Sequence, residues 1–388
     1  MNPKMSDIYD VHQKEYGTPP VLVASAPGRA NLAGDFTEYS QGLILGFALE
    51  SRVYVAVSPR EDGAVRFFSR EYNERKKTTS SNLKFRKEDR WANYPKGALA
   101  VIHSLGVSIG GLDITVCGDV PQSIGLGSSQ ALTLASLYAF NQLYDGGQTP
   151  HQLISLAHNT EITFLNQNSG VSGFFMLTYS MPQKILGFDC RSMEYQSLGW
   201  NWNEGELFLI NTKVPSSSFS TMQQDRIDCD RCLKVLAGGK PGKSLRDFTK
   251  ADLKERVGDI PESARRRALH VVDETLRVQD CMEAIRSQDF SILGRIMNRS
   301  HESLKDLYEV SCPEVDWLVR RLQETEGVLG ARMTGDGNGG CVVVLARNGA
   351  LVNFKHNLEE YERIFGFKAE VIPVAPSGNA SIHREDEA

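Results

Sequence analysis

The sequence predicts an α+β protein of two domains, and three observations carry that reading. The chain has 388 residues, 41% of them hydrophobic, which is too long for one ordinary core and apolar enough to build two. Strand-like and helix-like segments alternate without the regular βαβ rhythm of a doubly wound sheet. The pattern also loosens over Asp189 to Trp202 before apolar strand character returns at Glu206. A boundary near 195–205 follows, giving an N-terminal domain over 1–200 and a C-terminal domain over 201–388.

In chain order, Val21 to Ala24, Arg52 to Val57, Ala64 to Phe68 and Leu112 to Cys117 read as strands, short and rich in β-branched or aromatic residues. Apolar residues at three- and four-residue steps predict helices over Ala92 to Ser104, Ser129 to Tyr144 and Gln152 to Leu165. Beyond the boundary, Glu206 to Asn211 is a strand, followed by helices over Met222 to Leu236, Glu262 to Arg286, Phe290 to Tyr308 and Glu314 to Glu324. Gly330 to Leu345 reads as strand, glycine-rich loop and strand. A helix over Leu351 to Phe365 and a strand over Ala369 to Val374 follow, and the tail after Ser381 is expected to fray.

Composition excludes several classes of function. A formal charge of −5 offers no basic surface for nucleic acid or an anionic membrane. The basic runs Arg75-Lys76-Lys77 and Arg265-Arg266-Arg267 are brief and flanked by acids. Seven cysteines, odd in number and set in apolar runs, are the usage of a reducing compartment. Cys229 and Cys232 form a CxxC with no second pair at ligand spacing, which argues against zinc. No stretch approaches the ~18 uninterrupted apolar residues of a membrane span, so a cytoplasmic protein, monomeric or weakly dimeric, is expected.

The strongest chemical signal is Asp119-Val-Pro-Gln-Ser-Ile-Gly-Leu-Gly-Ser-Ser129, which follows a strand and opens a helix. Gly125 and Gly127 allow close backbone approach to a phosphate, and the helix N-terminus supplies free N–H groups and a positive dipole end. A plain turn with serine caps is the alternative. There is no Gly-Lys-Ser/Thr, so this is not a Walker loop. Two more segments share the pattern's character: Ala26-Pro-Gly-Arg-Ala-Asn-Leu-Ala-Gly-Asp-Phe-Thr-Glu-Tyr39, and Gly330-Ala-Arg-Met-Thr-Gly-Asp-Gly-Asn-Gly-Gly-Cys341.

In order and separation these three segments resemble the signature motifs of the GHMP kinases. Asn93-Tyr-Pro-Lys-Gly97, Arg265 to Val272, Met297 to Leu304 and Tyr308 to Glu314 resemble the galactokinase branch in particular. The resemblance covers essentially the full chain. It implies an N-terminal domain like the second domain of ribosomal protein S5, a ferredoxin-like C-terminal domain, and an active cleft between them. It also implies ATP and Mg²⁺ as cofactors, and a small-molecule acceptor such as a sugar or polyol. Carried over residue by residue, Pro121, Gly125, Leu126, Gly127, Ser128 and Ser129 match the nucleotide loop, with Gly335 and Gly337 in motif three closing on it. Ser129 and Glu161 match the metal ligands, and Arg29 matches the arginine beside the transferring phosphate.

The acceptor side departs from the resemblance. Counting from Glu161 without a gap, the family's general-base aspartate falls on Gly173, and a glycine cannot accept a proton. Motif one reads Asp35, Phe36 and Glu38 where the family has Glu, His and Asp, and Gln223 stands where a tyrosine packs against the sugar. Unpaired donors and acceptors discriminate strongly, so galactose is expected to bind poorly. Asp336 is either a substitute base, a further metal ligand or a turn aspartate bonding its own backbone. Three functions stay open: a kinase for another sugar or polyol, a nucleotide-binding pseudokinase with a regulatory role, and an ordinary galactokinase.

Overall fold

A computed structural model describes residues 5–383 except 168, 217 and 218, with the side chains of 5, 6, 219–223 and 353 also outside the description. Among the described residues twelve strands form two sheets. They are β1 (Leu22–Ala33), β2 (Leu43–Arg60), β3 (Ala64–Ser69), β4 (Glu74–Thr79), β5 (Gly111–Gly118), β6 (Lys184–Asp189), β7 (Glu194–Gly199), β8 (Gly205–Asn211), β9 (Val328–Thr334), β10 (Cys341–Arg347), β11 (Glu370–Val374) and β12 (Ser381–His383). The first sheet runs β12-β1-β2-β5-β3-β4, with β6 paired to the early part of β2 and β7 to β6; the second runs β11-β8-β10-β9. All pairings are antiparallel except β3 with β5.

Side chains alternate across a strand, and the second sheet uses both faces. Leu207, Leu209, Val343 and Leu345 enter the core of the first sheet. Phe208, Ile210, Val342 and Val344 enter a second core beneath the helices Pro313–Gln323 and Lys355–Phe365. One sheet thereby ties the two halves together.

The first strand is longer than its sequence pattern predicts, because β1 continues through Pro27 and Gly28 to Ala33. Its ladder with β2 is interrupted between Pro27 and Arg29, and the freed Arg29 N–H donates to the Leu126 carbonyl at 2.9 Å. Such an irregularity re-aims a side chain. The segment predicted as one helix over Gln152 to Leu165 is a helix Pro150–Asn159 ending in a π-helical turn Thr160–Phe164, which carries Glu161. The fraying expected after Ser381 is corrected for Ile382 and His383, which with Ser381 form β12 against Val23 to Ser25; residues 384–388 lie outside the described residues. The Arg52 guanidinium holds that return, donating to the Asn379 carbonyl at 2.6 Å and the Ser25 hydroxyl at 2.9 Å. Among the described residues no helix is long and apolar enough to cross a membrane.

A buried polar cluster fixes motif one to the helices Glu262–Arg286 and Phe290–Ser303. Glu274 accepts from the Gly34 N–H, the Ser300 hydroxyl and Arg277. Burial alone raises the Glu274 pKa, but the charges of Arg277, His270 and Arg332 outweigh it and hold the carboxyl down at about 2. His270 bridges the Ser303 hydroxyl and the Asp35 carbonyl. Burial pushes His270 down to about 4, as it does His12, which lies between Thr115 and Ser58.

A histidine whose folded pKa is depressed binds its proton more readily in the unfolded chain, so stability falls as pH drops from about 6.5 to 4. The expected loss is roughly 2–3 kcal/mol per histidine by pH 4.5. Urea midpoints across this window check it by comparison: His270→Gln should lose roughly 2–3 kcal/mol less than the unsubstituted protein. Equal losses in the two proteins would contradict the buried neutral imidazole.

Candidate active site

Three glycine-containing segments from distant parts of the chain converge on one cavity of about 310 Å³. The loop before the helix Ser128–Leu143 forms its floor, with Gly125 at φ 78° and Gly127 at φ 75°. The loop after β9 presses on that floor. A Cβ on Gly125 would stand 2.9 Å from the Gly335 Cα, and one on Gly335 would stand 2.7 Å from the Gly125 carbonyl. Any side chain at either position would drive the loops apart, so the backbones meet because neither residue has one.

Arg29, Asp35, Phe36, Glu38, Glu161 and Asp336 line this cavity together with Gly125 to Ser129 and Gly335. Pro121 lies at the head of the loop and outside the lining. Gly337 packs against Val310 and Phe36. Gln223 belongs to the helix Phe219–Ala237, with its side chain outside the described residues. A second cavity, of about 440 Å³, shares the wall formed by Tyr94, Ser123, Ser128, Ser129 and Gln167. It runs toward Tyr72, Phe85 and Trp91. The pair makes a continuous cleft with an aromatic end and a charged end.

Among the described residues that line the charged end, Arg29 is the cation and four side chains are carboxylic acids. Their environments differ. Asp35 is buried and accepts from Arg332 and from Asn31, both at 2.5 Å. Glu38 accepts from the Ser172 N–H at 2.9 Å and from its hydroxyl at 2.5 Å, at the start of the helix Ser172–Tyr179. Both are therefore engaged within the protein. Phe36 stacks on Tyr308, with ring centroids 4.6 Å apart, and presents hydrocarbon to the space between them.

Glu161 differs because one oxygen accepts from the Ser169 hydroxyl while its Oε1 is buried without a hydrogen-bond partner. Burial pushes its pKa up to about 7; the Ser169 hydroxyl and Arg29 oppose that shift and Asp336 adds to it. Burial also raises Asp336, with Arg29 opposing. An orphaned carboxylate oxygen in a cavity that a serine-bearing helix terminus also lines fits a divalent cation held by few protein ligands and completed by phosphate oxygens and water. Among the described residues no group of three or more His, Cys, Asp or Glu could hold a metal ion.

Gly173 does not face the cavity, because the place of its missing side chain is filled. A Cβ there would lie 2.1 Å from Gln130 Oε1 and 2.7 Å from Arg29 Nε. Gln130, the third residue of the helix Ser128–Leu143, accepts from Arg29 Nε at 3.0 Å and donates to the Gly170 carbonyl at 3.2 Å. Sequence reading passed over Gln130, as it did Ser169, Ser172 and Arg332. The available signal was a polar residue opening an otherwise apolar run, Ala131 to Ala135.

Three family profiles match the chain. They are described as the galactokinase galactose-binding signature over residues 10–59, the GHMP kinases N-terminal domain over 93–179 and the GHMP kinases C-terminal region over 281–363. The sequence is 34% identical over 347 residues to a galactokinase of Thermotoga petrophila, covering 89% of this chain and 95% of that one. It is 32% identical over 349 residues to a galactokinase of Roseiflexus sp., covering 90% and 89%. The fold superposes on Lactococcus lactis galactokinase complexed with galactose with a TM-score of 0.92 at 26% identity, covering 97% of this chain and 99% of that one. A mevalonate kinase of Methanococcus jannaschii matches with a TM-score of 0.60 at 16% identity, over 92% and 98% of the two chains, a likeness of fold alone.

The raised Glu161 pKa has a definite sign. The unfolded carboxyl ionises near 4.5 and the folded one near 7, so the metal-free protein loses stability as pH rises through that interval, by up to about 3 kcal/mol. Glu161→Gln should abolish this component, so that in chelator the variant gains on the unsubstituted protein from pH 5 to pH 8. Parallel melting curves over that range would contradict the orphaned carboxylate.

Proposed function

We propose, on the premise that this chain belongs to the GHMP kinase superfamily as a galactokinase-like member, that it transfers the γ-phosphoryl group of ATP to a hydroxyl of a small sugar or polyol other than galactose. One observation carries the reading. The phosphate side of the cavity keeps its groups available, whereas the acceptor side has its carboxylates bonded within the protein.

On the phosphate side, the N–H groups around Gly127 to Ser129 and the dipole of the helix behind them attract anionic oxygens. The Arg29 guanidinium offers positive charge where equatorial phosphate oxygens gather charge during transfer. Glu161 and the Ser129 hydroxyl, which line the same cavity, would hold Mg²⁺, and the ion when bound would neutralise charge on the phosphate oxygens. The aromatic end of the cleft, at Tyr72, Phe85 and Trp91, suits a purine base.

On the acceptor side, no side chain at 173 takes the hydroxyl proton. Transfer through a loose transition state depends more on positioning and electrostatics than on a base, and Arg29 lowers the pKa of a hydroxyl beside it. Of the cavity carboxylates, Asp336 is the one left to receive the proton, since Asp35 and Glu38 are engaged and Glu161 serves the metal. The hydrocarbon of Phe36 offers no hydrogen bond to a sugar hydroxyl. A pocket whose carboxylates Asp35 and Glu38 are already bonded, leaving Asn31 Oδ1 as an unpaired acceptor beside them, discriminates against galactose in favour of a ligand with fewer or differently placed hydroxyls.

A second reading, nucleotide binding without transfer, is favoured by Gln130 in the space beside Gly173. The match to the galactose-binding signature and the names of the relatives favour galactose itself. ADP release from Mg-ATP, measured across sugars, polyols and amino alcohols with galactose included, separates the three. The expected result is turnover with a non-galactose acceptor at least ~10-fold faster than with galactose, the discrimination that ~1.4 kcal/mol supplies. Preference for galactose would overturn the specificity assigned here, and saturable Mg-ATP binding with no turnover on any acceptor would overturn the transfer reaction in favour of the second reading.

A further inference from the structure

We infer that Gln130 is a positioning residue that holds the Arg29 guanidinium over the phosphate loop, and that residues 130 and 173 form a coupled pair in which the glutamine carboxamide occupies the volume a side chain at 173 would need. The inference deepens the nucleotide reading above and rests on it for its ligand measurement.

The Gln130 carboxamide is tied through both its oxygen and its nitrogen. The Gln130 side chain is buried, with its oxygen on Arg29 Nε and its nitrogen on the Gly170 carbonyl. Arg29 is held from the other direction by the loop itself, since its backbone N–H is bonded to Leu126 and a Cβ on Gly127 would stand 3.1 Å from Arg29 Cγ. Gly173 cannot retreat from Gln130. The adjoining Ser172 is fixed through its N–H and hydroxyl to Glu38, and Gly170 lies so close to the same carboxylate that a Cβ there would stand 1.9 Å from Glu38 Oε2.

A methyl group at 173 would stand 2.1 Å from Gln130 Oε1 and 2.7 Å from Arg29 Nε, so it has to swing the Gln130 carboxamide aside and shift the guanidinium that the carboxamide holds. That movement breaks its bonds to Arg29 and to Gly170, and it leaves polar groups unpaired in a buried place. Two consequences follow. A substitution at 173 acts on Arg29 through Gln130, at a distance from any ligand. A carboxylate added to the helix Ser172–Tyr179 at residue 173 would have to displace the Gln130 carboxamide from Arg29.

The test uses the full-length protein with Gly173→Ala, Gln130→Ala, the double variant, Gln130→Met and Arg29→Ala, read by thermal melting and by calorimetric titration with Mg-ATP. Gly173→Ala alone should lower the melting temperature by roughly 2–6 °C, and in the Gln130→Ala background it should lower it by much less. Gln130→Met keeps the bulk and loses both hydrogen bonds. It should weaken Mg-ATP binding about 3- to 10-fold when Arg29 is present and leave it unchanged in the Arg29→Ala background. Equal effects of Gly173→Ala in both backgrounds would overturn the pairing. Unaltered Mg-ATP affinity in Gln130→Met, or the same weakening with and without Arg29, would overturn the positioning role, since a purely structural residue acts independently of Arg29. Absence of Mg-ATP binding by the unsubstituted protein would be a failure of the nucleotide reading and would overturn the positioning role with it, while the melting cycle still decides the pairing.

Discussion

The site depends on a contact between two backbones. Gly125, in the loop ahead of the helix Ser128–Leu143, and Gly335, after β9, approach so closely that a single methyl group on either would separate them. These residues come from opposite halves of the chain, each built largely on its own sheet, with β12 returning to the first. The contact brings Asp336 and the helix N-terminus into one cavity, and β1 adds Arg29 by giving up a ladder bond to reach the same loop. Packing along the second sheet supports the meeting, since alternate residues of β8 and β10 enter the core of the first. The chemistry of the site is thus a property of the interface between two cores, which neither half would hold alone.

Around that contact the polar groups divide into those satisfied within the protein and those left facing the cavity. Asp35 pairs with Arg332 across the two halves, and the cluster of Glu274, Arg277 and His270 holds the motif-one turn from beneath. Glu38 is bonded to the helix at Ser172. Gln130 fills the place beside Gly173 and engages Arg29. What remains among the lining residues is a guanidinium, a helix terminus, Asp336, and the unpaired oxygens of Glu161 and Asn31. That set suits polyphosphate with a metal ion better than it suits a polyhydroxylated ring, because a sugar is recognised by hydrogen bonds that must be exchanged one for one with water.

Much of the architecture was legible because it follows from periodic apolar patterning and glycine placement. The helix over Glu262 to Arg286 was read at its observed bounds, and the β9-loop-β10 unit from its glycines and its Cys-Val-Val-Val run. Elements without a period escaped. The helix Ser172–Tyr179 is buried nearly all round, so its sequence has no polar face. Strand β4 carries Glu-Arg-Lys-Lys-Thr-Thr at a sheet edge, where apolar alternation is absent. Strand β12 is three residues long and exists through its partners, Arg52 and Val23 to Ser25. Within the site, the glycines, Arg29 and Glu161 were found from their motifs. Gln130 was not, because the meaning of Gly173 lies in a residue 43 positions earlier that fills its side-chain space. A missing side chain and the side chain that replaces it are joined by volume, which a linear reading does not see.

On the proposed function, a phosphate-binding half that keeps its groups faces a rebuilt acceptor half. Calorimetric titration of galactose into the protein saturated with Mg²⁺ and a non-hydrolysable ATP analogue tests it most directly, because it separates the two halves without requiring turnover. The account predicts saturable heat for the nucleotide and none for galactose up to tens of millimolar, a weakness that hydrogen bonds left unpaired in a buried pocket impose at about 1–3 kcal/mol each. Saturable galactose binding in the micromolar to low millimolar range would contradict it, and would mean that Asp35 and Glu38 release their internal partners to hold the sugar.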